Sequence, residues 1–350
     1  MARKPHPDAR VGILANPASG RDIRRLVASA SVFPTAEKAN MVERLLTGLA
    51  SAGVGTAFVM PDRGGIASRL RQAIEREQAM ARNRWPRVAF IEMPIEDGPL
   101  DTVRAVERML AEGVGAIISL GGDGTNRLIA SVSGATPLLP LSTGTNNVFP
   151  VMREATIAGL AAGLVASGRV DGSDALEVNK LLRVTIDGAS QEIALIDLCV
   201  VSELWVATKA LWRPEHFREL FLAFAEPDAI GLSAIGGLLQ PVARAAENGL
   251  RLELAPPEKA ASVVLAPIGP GLIVPIGVNR IEELKAGQAV ELKTREGVIA
   301  LDGEREIEFR NAGKVSVRLD RRGPTTIRID KVMALAAARG LLADRSGAEE

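Results

Sequence analysis

The sequence predicts an α/β protein in two parts, an N-terminal doubly wound parallel-sheet domain followed by a C-terminal β-rich, sandwich-like domain. Three observations lead there. In the first half, short apolar runs alternate with amphipathic stretches, the pattern of a parallel sheet wrapped by helices. From Lys180 onward most segments alternate with a period of two and are broken by Gly and Pro. Two of the early apolar runs end in polar glycine turns, as strands do when their carboxyl tips form a ligand crevice.

Taken in order, Arg10 to Ala15 reads as the first strand and ends at Asn16-Pro17-Ala18-Ser19-Gly20. An amphipathic helix is expected from Thr35 to Ser51. Strands at Gly55 to Met60 and Arg87 to Met93 are each followed by a helix, Ile66 to Met80 and Leu100 to Glu112. The fourth strand, Ala116 to Leu120, delivers Gly121-Gly122-Asp123-Gly124-Thr125. The fifth, Leu138 to Ser142, delivers Thr143-Gly144-Thr145-Asn146-Asn147. A helix from Ala155 to Ser167 precedes the change in composition. The β-rich part then offers strands at Leu182 to Ile186, Glu192 to Val201, Leu250 to Leu254, Ser262 to Leu265, Gly271 to Ile276, Ala289 to Lys293 and Val298 to Leu301, with a helical insert between Pro214 and Ala225. A last helix, Lys331 to Leu342, is apolar on one face and suited to pack back on the first domain. The expected domains are thus 10–150, 151–330, and a C-terminal helix and tail over 331–350.

Composition narrows the function. The 42 basic and 42 acidic residues cancel, and Tyr is absent beside three Trp and eight Phe, so neither a basic footprint nor base-stacking platforms point to nucleic acid. No apolar stretch is long enough for a membrane-spanning helix, and the N-terminus lacks the apolar core of a signal peptide. The single Cys199, set in an apolar run, allows no internal disulfide and fits a cytoplasmic protein with a buried strand cysteine. His6 and His216 are too far apart in sequence to read as a metal pair, and no His/Cys metal site is expected.

The chemistry concentrates in the glycine turns. Gly121, Gly122 and Gly124 place no Cβ in the way of a phosphate approaching the backbone N–H groups. Two such turns, each after an apolar strand, imply one nucleotide polyphosphate gripped from both sides. The first is not a P-loop, since no Gly-Lys-Ser/Thr follows, and not a dinucleotide fingerprint, since the third glycine is missing. Phosphoryl transfer needs positioning, charge compensation, and a group that orients or deprotonates the attacking hydroxyl. Asp123, a carboxylate among glycines, is the candidate base; its alternative is a turn aspartate satisfying nearby amides. Thr125 caps the following helix or donates to a phosphate. Asn147 either donates to a phosphate or holds its loop, in company with Gly144, Thr145 and Asn146. Asn16 and Ser19 would approach the phosphate from the opposite wall. Asp302 and Glu304 are candidates for a catalytic or metal-linked role, although Asp302-Gly303 is equally an ordinary hairpin turn.

The pentapeptide Gly121 to Thr125 resembles the signature of the superfamily holding NAD kinases and diacylglycerol-type lipid kinases. Asn16-Pro17-Ala18-Ser19-Gly20 is similar to that superfamily's Asn-Pro-x-Ser-Gly element, and Gly144-Thr145-Asn146-Asn147-Val148-Phe149 to the Gly-Thr-x-Asn-x-Phe element of the lipid kinases. Ser233-Ala234-Ile235-Gly236-Gly237 loosely resembles a Ser-Ala-Gly-Gly turn of NAD kinases, and Leu301-Asp302-Gly303-Glu304 their Asp-Gly-Glu/Gln element. Asp22-Ile23-Arg24-Arg25-Leu26 most resembles the ATP-NAD kinase branch associated with acetoin catabolism genes. The resemblance implies the fold of that superfamily and an activity transferring phosphate from ATP, with Mg²⁺, to the 2′-hydroxyl of NAD. A lipid kinase acting on a diacylglycerol-like alcohol, or a nucleotide-binding module without catalysis, are the alternatives. It also implies pairing of subunits through the β-rich domains, with no integral membrane contact. One departure concerns the acceptor: the Asn-Glu pair that NAD kinases use for adenosine is absent. In the corresponding run Leu195 to Val200, Asp197 can accept from a ribose hydroxyl in place of the Asn, whereas Leu198 cannot replace the Glu.

Overall fold

The structure is a computed structural model and describes residues 8–17, 29–82, 84–170, 174–202, 214–303, 305–310 and 314–343. The chain begins with β1 (Arg10–Ala15), α1 (Thr35–Ser51), β2 (Thr56–Val59), α2 (Ile66–Ala79), β3 (Arg87–Phe90), α3 (Pro99–Ala111), β4 (Ala116–Gly121), α4 (Asp123–Val132), β5 (Leu138–Ser142) and α5 (Ala155–Ala166). It continues through β6 (Leu176–Val178), β7 (Leu181–Ile186), β8 (Ala189–Ala194), β9 (Asp197–Val201), β10 (Phe217–Leu222), α6 (Ser233–Leu239), β11 (Gly249–Ala255), β12 (Ser262–Gly269) and β13 (Leu272–Leu284). The remaining elements are β14 (Ala289–Glu291), β15 (Gly297–Leu301), β16 (Arg305–Phe309), β17 (Val315–Asp320), β18 (Thr325–Ile327) and α7 (Ile329–Ala338).

The first sheet has the order β3-β2-β1-β4-β5-β18-β6, parallel from β3 through β18, with β6 antiparallel at the edge. The second, antiparallel, runs β12-β13-β11-β10-β9-β15-β16, and a third of four strands runs β14-β17-β7-β8. The strand order reverses between β1 and β4, which makes the carboxyl tips of those two strands the topological switch point. Asn16 follows one tip and Gly122 the other, joined by Asn16 N–H donating to the Leu120 carbonyl at 3.2 Å.

Helix α1 forms because Met41, Val42, Leu45, Leu46 and Leu49 make one apolar stripe, all buried. It lies backbone to backbone on α5. A Cβ on Gly48 would run into the Thr156 carbonyl, and one on Gly159 into the Leu45 carbonyl, so glycine is required at both crossings. Helix α7 returns to this layer through Ile329, Val332 and Ala336, which join the same core as Leu45 and Ile118. A second core is continuous across both parts, taking Leu14, Leu138 and Phe149 from the first and Leu198, Phe221 and Ile299 from the second.

The parallel-sheet layer runs on past residue 150. Helix α5 packs on α1 and β6 pairs with β18, so both still belong to the first layer, and the change comes between Val178 and Leu181. The segment between Pro214 and Ala225 is not a helical insert. A single 3₁₀ turn, Pro214–His216, leads into β10, a central strand flanked by β9 and β11. Phe217, Leu220, Phe221 and Phe224 imitate helical spacing, but a short apolar run with three aromatics is what a fully buried strand also shows. The expected strand Glu192 to Val201 is two strands, β8 and β9, that enter different sheets.

Candidate active site

The first glycine turn is built by close packing. A Cβ on Gly121 would sit 2.8 Å from the Thr125 Cβ and Cγ2, so the strand tip and the first turn of α4 touch with no room for a side chain. Gly122 is the N-cap of α4 in extended conformation, and Asp123 is its first residue, where a negative charge suits the helix dipole. Asn126, fully buried, accepts from the Ser119 hydroxyl at 2.5 Å and donates to the Gly122 carbonyl at 2.8 Å. Helix α2 has its first N–H groups taken by the Asp62 carboxylate, and α5 by Glu154, whereas α4 has no side-chain cap.

Across the switch point, Asn16 Nδ2 donates to the Thr125 hydroxyl at 3.1 Å, which brings together two predicted residues 109 apart in sequence. Beneath that contact the fully buried Lys38 donates from Nζ to the Asn16 carbonyl at 3.0 Å. Sequence reasoning missed Lys38, because it lies on α1, far from any glycine turn. Ser19 and Glu304, and the run Asp22 to Leu26, lie outside the described residues.

Asp123 does not point into open solvent; it is only 3% exposed. Its Oδ1 accepts from the N–H groups of Val148 at 3.1 Å and Phe149 at 2.9 Å, and its Oδ2 from Val148 at 3.1 Å. The carboxylate thus ties the first glycine turn to the end of the second. That second turn is closed on itself: Asn147 Nδ2 donates to the Ser142 hydroxyl at 2.7 Å and to the Gly144 carbonyl at 3.3 Å. The hydroxyl of Thr145 accepts from Ser31 N–H at 3.0 Å, and Gly144 bridges to Val32. Asn147 therefore holds its loop.

Two cavities meet at α4. A cleft of about 790 Å³ has in its lining the polar turn residues Asn16, Gly124, Thr125 and Arg127 and the apolar Met60, Pro61, Ile95 and Leu100. A narrow pocket of about 30 Å³, room for a water, lies on the other side. Its lining includes Asp123, Asn146, Asp197, Asp302 and Gly303. Among the described residues both glycine turns therefore contribute to the narrow pocket, Asp123 from the first and Asn146 from the second, whereas the cleft takes residues of the first turn only. Gly124 and Thr125 face the cleft, while Asn146 of the second turn faces the pocket.

In the pocket, Asp302 and Gly303 form the β15–β16 turn with φ of 49° and 68°. The Asp302 carboxylate is buried and accepts from the N–H groups of Leu195, Ile196 and Asp197 at 2.8–3.3 Å, while its own N–H donates to the Asp197 carbonyl at 3.0 Å. Burial pushes its carboxyl up from the ordinary value, only partly opposed by those amides and by Arg127. Asp302 is thus both a hairpin-turn residue and the anchor that presents Asp197. Arg127, one helical turn past Asp123 and 6% exposed, lies between the cavities, with Nη1 3.4 Å from Glu192 Oε2 and Nε 3.8 Å from Asp302 Oδ2. The i, i+4 relation to Asp123 was the signal that could have found it. Among the described residues no group of His, Cys, Asp and Glu could by itself hold a metal ion, and no helix is long and apolar enough to cross a membrane.

Residues 11–170 match the ATP-NAD kinase N-terminal domain and residues 180–322 the acetoin catabolism protein X C-terminal domain. The junction between the two matches falls where the structure changes from the parallel sheet to the antiparallel ones. The chain is 44% identical over 313 residues to acetoin catabolism protein X of Cupriavidus necator, covering 88% of this chain and 87% of that protein. A parallel sheet carrying the kinase-type glycine turn, joined to a β-rich unit of this second kind, places the chain in the acetoin catabolism protein X family, with an ATP-NAD kinase N-terminal domain.

Proposed function

We propose that the protein is a phosphotransferase that moves the terminal phosphoryl group of ATP to the 2′-hydroxyl of NAD, giving NADP. One observation carries this reading: consecutive residues at the start of α4 face two different cavities, Asp123 the pocket and Gly124 and Thr125 the cleft. A transferring phosphate and an attacking hydroxyl need that relation, on either side of one short segment. The donor's phosphates lie over Gly124 and Thr125 at the uncapped start of α4 with Asn16 opposite, and its base lies toward Met60, Pro61 and Leu100. The acceptor hydroxyl meets the Asp123 carboxylate, which takes its proton as the phosphoryl group departs. Asp197 and Asn146 hold the acceptor's ribose.

Mg²⁺ would compensate the donor's charge. The four described carboxylates lining the cleft are engaged with protein groups, Asp62 with α2, Asp97 with Arg63, Asp101 with the Glu96 N–H and Arg104, and Glu192 with Arg127, which fits a cation carried mainly by substrate phosphates and water. The acceptor pocket at about 30 Å³ is too tight for a nucleoside, so this reading requires the parts bearing Asp123 and Asp302 to separate on binding. The exposed apolar side chains of Val263, Leu265 and Ile273 on the β12–β13 hairpin support self-association through the β-rich unit.

The test supplies Mg-ATP with either NAD or a dispersed diacylglycerol, reading NADP by enzymatic cycling and phosphatidic acid by label transfer. NADP formation supports the proposal. Phosphatidic acid alone would move the acceptor to a lipid, and nucleotide binding without any transfer would leave a regulatory module.

A further inference from the structure

The cleft needs a cation that faces the donor's phosphates, and the absent P-loop lysine does not supply it. Two cationic residues line the cleft among the described ones. Arg63 has a side chain 66% exposed and stands opposite Asp97 at 3.6 Å, whereas the Arg127 side chain is 7% exposed and shares the wall with Gly124 and Thr125. Lys38 is close, but its ammonium points beneath the loop to the Asn16 carbonyl.

The partners of Arg127 hold it loosely. A guanidinium has five N–H donors, and strong pairing with a carboxylate is forked at about 2.7–2.9 Å. Here Nη1 reaches Glu192 at 3.4 Å, and Nε approaches Asp302 at 3.8 Å without a hydrogen bond, although that nitrogen is fully buried. An arginine placed only to tie the two units together would fork onto one carboxylate. This one lies between two, with most of its donors unspent, on the wall that also carries Gly124 and Thr125.

We propose that Arg127 is the ligand of the donor's terminal phosphates, exchanging its long contact with Glu192 for the incoming anion. The proposal rests on the phosphotransferase reading and adds to it the residue that discriminates a polyphosphate from a monophosphate. Glu192 then acts as a competitor: its carboxylate lines the same cleft and occupies Arg127 when no donor is bound.

The test measures Mg²⁺-dependent affinities for ATP and AMP by calorimetry in the wild type, Arg127→Met, Arg127→Lys and Glu192→Gln, with KM for both substrates and a denaturation curve for each. Arg127→Met is expected to weaken ATP binding roughly 10- to 100-fold while AMP binding and the acceptor's KM hold, since the lost contacts are charge-assisted bonds to phosphate. Arg127→Lys recovers part of that loss, because the charge returns without the fork. Glu192→Gln, which removes the competing charge at constant volume, tightens ATP binding and keeps the proposal testable should Arg127→Met fail to fold. Equal loss for ATP and AMP in folded Arg127→Met, or Glu192→Gln that leaves ATP affinity unchanged or lower, overturns the assignment. A wild type that binds no adenine nucleotide would instead remove the phosphotransferase reading itself.

Discussion

Replacing Asp123 by Asn changes one oxygen for an amide and removes a charge at the junction of the two glycine turns. The structure sets the size of the effect. The carboxylate accepts from two backbone N–H groups, Val148 sharing both oxygens and Phe149 using Oδ1. In Asp123→Asn the remaining oxygen can keep Phe149, but the new NH₂ group faces the Val148 N–H. Bonds to a charged acceptor contribute about 1.5–3 kcal/mol each against about 1 for neutral ones, so the folded state should lose about 1–3 kcal/mol. If the carboxylate also takes the acceptor's proton, kcat should fall by roughly 10²–10⁴-fold. The assay pairs steady-state NADP formation with a urea denaturation curve and an ATP-binding measurement. Because Gly124 and Thr125 face the other cavity, ATP affinity should change little. A variant that loses stability as calculated yet keeps kcat within about threefold of the wild type would show Asp123 to be a turn aspartate alone.

Three further outcomes follow from the fold. Gly48→Ala places a methyl against the Thr156 carbonyl across the α1–α5 crossing and should cost about 1–3 kcal/mol of stability, measured by urea denaturation; an unchanged midpoint refutes the close crossing. Lys180 is 5% exposed, donates to the Ala243 and Asn248 carbonyls, and is brought down by burial, then by the charge of Arg321, from 10.5 to about 8. Its unfolded form therefore holds a proton that the folded form releases between about pH 8 and 10.5, so the wild type should gain stability with rising pH across that window, by at most about 3 kcal/mol, relative to Lys180→Met. Parallel pH profiles for the two proteins would contradict it. Cys199 is fully buried, and burial followed by the nearby Asp197 charge pushes its thiol up. Thiol labelling of the native protein should consequently track global unfolding, and fast labelling under native conditions would refute the burial.

Much of the first layer was legible because its signals are local. The strand Arg10–Ala15, the helix Thr35–Ser51 and the strand Leu138–Ser142 appear with the bounds their periodicity and flanking turns imply. The β-rich unit was less legible. Phe217, Leu220, Phe221 and Phe224 satisfy a helical spacing, and only the neighbours β9 and β11 make the segment a central strand. The far edge of the first sheet was not legible, because β6 and β18 enter it from opposite sides of the β-rich unit, a pairing across roughly 150 residues that no local pattern carries. The same holds for the site. Glycine spacing located the Asp123 turn, and across the switch point Asn16 meets Thr125, a contact between residues 109 apart that no local pattern announces. Which cavity each turn faces depends on long-range contacts, Asp123 with Phe149 and Ser31 with Thr145, that fold the second turn away from the cleft. Arg127 went unnoticed because its carboxylate neighbours Glu192 and Asp302 come from the distant β-rich unit.

The most direct test is a crystal of the protein soaked with Mg²⁺ and a non-hydrolysable ATP analogue. The account predicts electron density for the phosphates over Gly124 and Thr125, with Asn16 opposite and the base toward Met60 and Leu100. Phosphates lodged against Gly144 to Asn147 on the far side of α4, or anywhere outside the cleft, would contradict it.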